Sequence, residues 1–414
     1  MKPLADYYII IEIITNVLRG KNLVNEFNYQ VDRVLNVGKV KDITFGVFRN
    51  YNILASIFAL LVPKKINEIQ LKSIILIGLY EIKYTNKVEY AVTNDLVNIT
   101  SRLYKNNQIK NFINAVLRNY LRSQKELDIK LSSDFEYKYN FPLWMINKLT
   151  HDYKDNYQDI IASLNGKPKL GIRVNQRKIK LLDYLALLDS SNIKYNKVND
   201  FIYLMELSNY KLLPKFEQGY VSIQDIHAQE LINFVDIENG CRVLDACSAP
   251  GGKACQILEN KSVDITCLDI DNSRLDKLRQ NLIRLNLTAN IKCGDARNND
   301  WWDHKLYDYV IADVPCSASG TIKKNPDIKY IRTVDDITNF VKLQRDIVHN
   351  LWKMLKSNGI LIYITCSIFI DENKNNIDYF LDKYRNMQLL DEKVLLPQDY
   401  ADGFYYAKLK KLAI

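Results

Sequence analysis

Leu244-Asp245-Ala246-Cys247-Ser248-Ala249-Pro250-Gly251-Gly252-Lys253 reads as the end of a buried strand, a glycine turn and the start of a helix. Glycine at such a turn lets the backbone approach a ligand, and the amino end of the helix favours polar or anionic groups. The turn is not GxGxxG, so the dinucleotide fingerprint is absent. The next apolar run, Ile265-Thr266-Cys267-Leu268, ends in Asp269, 18 residues beyond Gly251. An acid there accepts hydrogen bonds from both hydroxyls of a ribose. A third run ends in Cys293-Gly294-Asp295-Ala296, placing a second acid for an adenine amino group, while Asp245 suits a positively charged or amine-bearing group. Acids at three successive strand ends around one glycine turn point to S-adenosylmethionine and away from NAD.

The alternation of strand and helix continues to the carboxyl end. Strands are predicted at 242–246, 264–269, 289–293, 307–312, 358–365 and 404–410, and helices at 252–260, 272–286, 336–357 and 371–384. Such alternation implies a Rossmann-like α/β domain, its mostly parallel sheet covered on both faces. Ligands of such sheets bind at the carboxyl ends of the strands. Two of these ends carry cysteine: Tyr309-Val310-Ile311-Ala312 runs into Asp313-Val314-Pro315-Cys316, and Leu361-Ile362-Tyr363-Ile364 into Thr365-Cys366-Ser367. Each thiol alone is more simply a small buried hydrophobe. Two of them opening into one crevice beside a nucleotide-type cofactor point to covalent catalysis on an electron-poor ring.

The remainder divides in two. Residues 1–135 show apolar spacing of three and four in Tyr8–Val17, Ile53–Leu61, Leu71–Ile82 and Phe112–Leu121, which predicts a small helical bundle. Residues 136–236 mix a proline-started helix at Pro142–Leu149 with strand-like alternation at Lys169–Val174 and Phe201–Met205, an α+β subdomain. The third domain is 237–414. The net charge of +9 is uneven: residues 1–135 hold 19 Lys and Arg against 12 Asp and Glu, and no acid falls between Asp95 and Glu126. Arg118, Arg122 and Lys125 share one helical face there. A one-sign segment suits phosphate, and it equally describes a solvated face; charge alone does not separate them. The pair Lys323 and Lys324 reads the same two ways.

Composition narrows the class. Hydrophobic content of 47% and charged content of 25% describe an ordinary globular protein. No apolar run approaches the roughly 20 residues of a membrane span, and Met1–Arg19 carries Asp6 and Glu12 without a small-residue cleavage site. A cytoplasmic location, no membrane and a monomeric chain are the expectation. All seven cysteines lie in the last 174 residues, an odd number without CxxC spacing, and the four histidines are scattered. Free thiols and no metal follow.

These motifs resemble the Sun/Fmu family of RNA cytosine-C5 methyltransferases over essentially the whole chain. Asp245–Lys253 is similar to the family's cofactor loop, Asp313–Cys316 with Ser317-Ala318-Ser319-Gly320 to its proline–cysteine motif, and Thr365-Cys366-Ser367 to its second cysteine motif. Val221-Ser222-Ile223-Gln224-Asp225 and Asp402-Gly403-Phe404-Tyr405-Tyr406-Ala407 match further signatures. Asn111–Arg118 is similar to the NusB-like RNA-binding domain that marks one branch. The resemblance implies a class I methyltransferase domain behind a NusB-like bundle. It implies cofactor contacts from Cys247, Ser248, Ala249, Pro250, Gly251, Gly252, Lys253, Asp269, Asp295 and Asp313. Ser248 stands where alanine is usual.

The implied reaction is methylation of carbon 5 of a cytosine in small-subunit ribosomal RNA. Carbon 5 of that electron-deficient ring is a poor nucleophile. A thiolate adding to carbon 6 makes an enamine whose carbon 5 attacks a methyl sulfonium, and a base then removes the carbon 5 proton. The resemblance assigns attack to Cys366 and product release to Cys316, whereas DNA cytosine methyltransferases use the proline–cysteine thiol. Asp313 sits where a contact to ring nitrogen 3 is needed. Lys253 either supports Asp313 or merely begins a helix. The competing readings are the same chemistry on transfer RNA and an RNA-binding, antitermination-like module with a retired catalytic domain. Intact Asp313, Cys316 and Cys366 speak against retirement.

Overall fold

The computed structural model describes residues 5–64, 66–205 and 210–413, and these form two compact units. The first comprises residues up to Asn165 together with Ile322–Thr333; the second comprises Gly166–Thr321 and the chain from Val334.

The first unit is helical. Its elements are α1 (Ala5–Leu18), α2 (Leu23–Gln30), α3 (Val37–Arg49), α4 (Tyr51–Leu61), α5 (Ile69–Tyr84), α6 (Glu89–Tyr104), α7 (Asn107–Leu131), α8 (Phe135–Tyr139), α9 (Leu143–Tyr153) and α10 (Tyr157–Asn165). Asn22, Asn36 and Asn106 cap α2, α3 and α7, their side-chain oxygens accepting otherwise unpaired first-turn N–H groups. The apolar stripes of α1, α5, α6 and α7 bury Ile10, Ile14, Ile74, Ile77, Leu96 and Leu117 in one core. On α7, Arg118, Arg122 and Lys125 are exposed. Among the described residues no single helix is long and apolar enough to cross a membrane; α3 and α4 together pass on length and composition but bend by 74°.

The second unit begins with a four-stranded antiparallel sheet: β1 (Leu170–Val174), α11 (Leu181–Ser190), β2 (Tyr195–Val198), β3 (Phe201–Leu204) and β4 (Val221–Ile223), in the order β2-β3-β1-β4. The short α12 (Ile226–Gln229) and α13 (Leu231–Phe234) lead to β5 (Arg242–Ala246), α14 (Gly252–Asn260), β6 (Asp264–Asp269), α15 (Asn272–Leu285), β7 (Asn290–Cys293) and β8 (Tyr307–Asp313). The chain then passes through the helical unit, where α16 (Ile328–Ile331) lies. It returns as α17 (Val334–Lys353), β9 (Leu355–Thr365), α18 (Lys374–Lys383), β10 (Met387–Leu395) and β11 (Phe404–Lys411).

The seven-stranded sheet has the order β10-β11-β9-β8-β5-β6-β7, with β5 to β9 parallel and β10 and β11 antiparallel. Alternate residues face opposite cores: Leu244, Val310, Ala312, Leu361 and Tyr363 on one side, Val243, Ile311, Ile362 and Ile364 on the other. The chain order reverses between β5 and β8, which opens the crevice at their carboxyl ends.

Three local expectations are corrected. The helix predicted at 336–357 ends at Lys353, and β9 starts at Leu355; the apolar Met354-Leu355 continues a helical pattern while belonging to the sheet side. β10 was not predicted, because a partly exposed edge strand with Asp391, Glu392 and Lys393 lacks an apolar run. Lys323 is buried and no solvated loop residue. Six residues on, Lys329 is also buried, donating to the carbonyls of Arg49 (2.6 Å) and Asn140 (3.0 Å) and to Asn165 Oδ1 (3.0 Å). Its burial lowers the ammonium well below the ordinary lysine range.

Candidate active site

Strand β5 carries Asp245 to the floor of the crevice, where the side chain is fully buried. Ser248 Oγ donates to its Oδ2 at 2.6 Å, and Oδ1 has no hydrogen-bond partner among the described residues. Burial, only partly offset by that hydroxyl, pushes the carboxyl up to about 7. The loop above it bends through left-handed backbone at Cys247 (φ 60°) and Gly251 (φ 94°). A Cβ on Gly251 would stand 2.9 Å from Leu278 Cγ, so glycine is required twice over. Asp269, at the end of β6, accepts from the backbone N–H of Ala249 (3.0 Å) and of Asp271 (3.1 Å), and so braces the loop. Asp295 is forked by Arg297 Nε (3.0 and 2.9 Å) and Nη2 (2.6 Å), and these hydrogen bonds hold its carboxyl below the usual range.

Strands β8 and β9 are parallel neighbours with Asp313 opposite Ile364, so the residues just beyond them meet. Cys316 Sγ lies 3.4 Å from Cys366 Sγ, and both thiols are half-buried. The hydrogen bond to Cys366, together with burial, pushes the Cys316 thiol well above its ordinary range. Burial does the same to Cys247 and Cys267 and raises Cys255 to about 12. The two cysteine loops are pinned by backbone: Gly320 N donates to Cys366 O (2.9 Å) and Gly403 N to Gly320 O (2.9 Å). A Cβ at Gly320 would lie 2.4 Å from Gly403 O, so only glycine permits this approach. Asp225 accepts from Asp402 N at 3.2 Å, and His227 Nδ1 is 2.6 Å from Asp402 O, which joins the Val221–Asp225 signature to the Asp402-Gly403 turn. Lys253 Nζ donates to Asp313 Oδ2 at 2.6 Å. Burial alone would lower Lys253, yet Asp313 outweighs it and the ammonium is held above its ordinary value. Lys253 thus both begins α14 and pairs with Asp313.

Several residues at the site are not singled out by the sequence reading. Glu372 lies in a polar run read as a helix start, yet it is fully buried against Ser317 and Ser367. Gln344, on α17, donates to Glu372 at 3.0 Å, and Arg274 and Arg297 engage Asp269 and Asp295. A partner for each strand-end acid is the signal that was available: Arg297 stands two residues beyond Asp295, and Arg274 five beyond Asp269. A cleft of about 550 Å³ lined by Arg173, Gln256, Glu259 and Lys393 contains none of the predicted site residues.

A Rossmann-like sheet with this crevice defines a methyltransferase domain, and comparison with known proteins gives the family. The profile described as "16S rRNA methyltransferase RsmB/F" matches residues 232–410. The RsmF/B-like ferredoxin-like domain matches residues 141–208, and the NusB family residues 12–122. The chain is 36% identical over 386 residues to the ribosomal RNA small subunit methyltransferase B of Vibrio cholerae serotype O1, covering 90% of this chain and 89% of that protein. It is 37% identical to the protein of that name from Vibrio vulnificus, over 90% and 91% of the two chains. The crystal structure of PH0851 shares the fold, with a TM-score of 0.82 over 99% of each chain at 21% identity. The chain belongs to the RsmB/F family of 16S rRNA methyltransferases.

Proposed function

We propose that this chain methylates carbon 5 of a cytosine in small-subunit ribosomal RNA, using S-adenosylmethionine and a covalent cysteine adduct at carbon 6. The observation that carries it is the pair of sulfurs 3.4 Å apart, beside the Lys253–Asp313 pair, at the ends of adjacent strands. The crevice fits the cofactor: the unpartnered Asp245 Oδ1 is a buried acceptor suited to a cationic or amine group. Cys247 to Lys253, Asp269, Asp295 and Asp313 surround it as the holding residues. When bound, S-adenosylmethionine supplies an electrophilic methyl group.

The protein's own groups do the rest. Cys366 adds through sulfur to carbon 6, which moves an electron pair onto carbon 5. The Lys253 ammonium, kept charged by Asp313, is the donor of the pair and stabilises the negative charge that develops at ring nitrogen 3. Once carbon 5 carries its methyl group, a base takes the carbon 5 proton, the carbon 6–sulfur bond breaks and the aromatic ring returns. Cys316, held as a thiol 3.4 Å away, assists that release. Arg118, Arg122 and Lys125, exposed on α7, supply positive charge for the RNA backbone. The target base has to leave its stack to reach the thiols.

Cys366→Ala abolishes methylation and forms no adduct. Cys316→Ala turns over at most once and remains bonded to RNA, a complex that survives denaturing electrophoresis and disappears in the double variant. Trapping by Cys366→Ala and none by Cys316→Ala would reverse the two roles. Bisulfite sequencing of ribosomal RNA from cells with and without the gene tests the substrate directly.

A further inference from the structure

We infer that Glu372 is a positioning residue that fixes the spacing of the two thiols, by binding the residue that follows each cysteine with a single carboxylate. Oε1 accepts from Ser317 N (2.8 Å) and from Gln344 Nε2 (3.0 Å). Oε2 accepts from Ser317 Oγ (2.5 Å) and Ser367 Oγ (2.5 Å). Ser317 follows Cys316 and Ser367 follows Cys366. Gln344 extends the clasp, since the same Nε2 donates to Pro315 O at 2.9 Å on the other side of Cys316. Ser319 closes it, standing 3.1 Å from Ser367 Oγ and accepting from Ile368 N at 3.0 Å.

The chemistry of the site explains why an acid stands here. An apolar side chain fills the same volume without desolvating a carboxylate. An acceptor with two oxygens instead holds two loops at once, and its geometry is directional. The division of labour proposed above needs one sulfur bonded to carbon 6 while the other serves the adjoining carbon 5. The pair must therefore stay within the reach of one bond of the base. The catalytic part of this inference rests on that reading; the spacing itself does not.

Two assays on the full chain separate the two. In the first, diamide oxidises the thiols: Cys316 and Cys366 give up two protons and two electrons to form a disulfide, and diamide is reduced to its hydrazine. Peptide mass mapping measures the 316–366 cross-link. Glu372→Gln should form it several-fold more slowly than the parent, with affinity for S-adenosylmethionine unchanged. In the second, kcat for RNA methylation should fall about tenfold or more, as misplacement of reacting groups does. KM for S-adenosylmethionine should hold, and a trapped RNA adduct should appear that the parent lacks. Should Glu372→Gln not fold, Ser367→Ala keeps the carboxylate, removes one donor and is read in the same assays. Cross-linking at the parent rate in a folded variant overturns the inference. Slower cross-linking without a trapped adduct leaves Glu372 in this role and overturns the assignment of release to Cys316.

Discussion

Two carboxylates are fully buried at the same edge of the sheet, and their surroundings are opposite. Glu372, in the turn after β9, has both oxygens taken by protein donors, with four hydrogen bonds among the described residues. Asp245, at the end of β5, has one oxygen on Ser248 and the other on nothing among the described residues. Burial raises both carboxyls. A buried acceptor filled by the protein belongs to the frame; one left open is shaped for something that arrives later. That contrast separates the part of the crevice that holds the thiols from the part proposed above to receive the cofactor.

The largest effect that tests it is on stability. Glu372→Ala strands the Ser317 N–H and one N–H of Gln344, whose bond to Pro315 O remains; each is worth about 1–3 kcal/mol when buried without a partner, so about 2–6 kcal/mol is lost. Asp245→Ala strands a serine hydroxyl that can turn elsewhere, and costs less. Urea unfolding followed by tryptophan fluorescence reads this well, because Trp301, Trp302 and Trp352 lie in the catalytic unit and only Trp144 in the helical one. Equal losses in the two variants would erase the distinction.

The second effect is on pH. In the unfolded chain Asp245 loses its proton near pH 4, whereas in the ligand-free fold it keeps it to about 7. The folded state therefore binds the extra proton between those values, and stability falls as pH rises, by roughly 1.4 kcal/mol per pH unit. The stabilisation is complete below the unfolded value and gone above about 7. Asp245→Asn should subtract this slope and leave the contribution of Glu372 in place. A parent and variant with parallel profiles from pH 4 to 7 would place no proton on Asp245.

Most of this edge was legible beforehand because strand ends are marked by chemistry: Asp245, Asp269, Asp313, Cys316 and Cys366 each follow an apolar run of the right length. Glu372 was not legible. In Ile370-Asp371-Glu372-Asn373 nothing local distinguishes a buried acid from a solvated helix start, and its partners lie 55 and 28 residues away in Ser317 and Gln344. The segment Ile322–Thr333 was hidden for the same reason. Its place in the helical unit rests on Lys329 and Asp327, whose partners Arg49, Asn140 and Leu23 lie elsewhere in the chain. Periodicity reports which face is apolar; it does not report which polar group will be buried with which.

The smallest effect concerns the loop residue that hydrogen-bonds Asp245. Ser248 gives Asp245 its only side-chain hydrogen bond among the described residues, at 2.6 Å, and this bond favours the ionised carboxylate. Ser248→Ala removes it, so the carboxyl moves further up from about 7. Stability near pH 6, where the folded group is already protonated, should change by no more than about 1 kcal/mol, the worth of one ordinary hydrogen bond. Binding should show more. If a cationic or amine group of the cofactor needs Asp245 ionised, affinity for S-adenosylmethionine rises with pH through the carboxyl's titration, and in Ser248→Ala that rise shifts to higher pH. Calorimetric titration from pH 6 to 9 measures it, with Ser367→Ala as the control on the side of the filled carboxylate. A shift in Ser248→Ala alone ties ligand binding to the open oxygen. The same shift in both variants would mean that the two carboxylates answer to one field, and the line drawn between frame and receiver would fall.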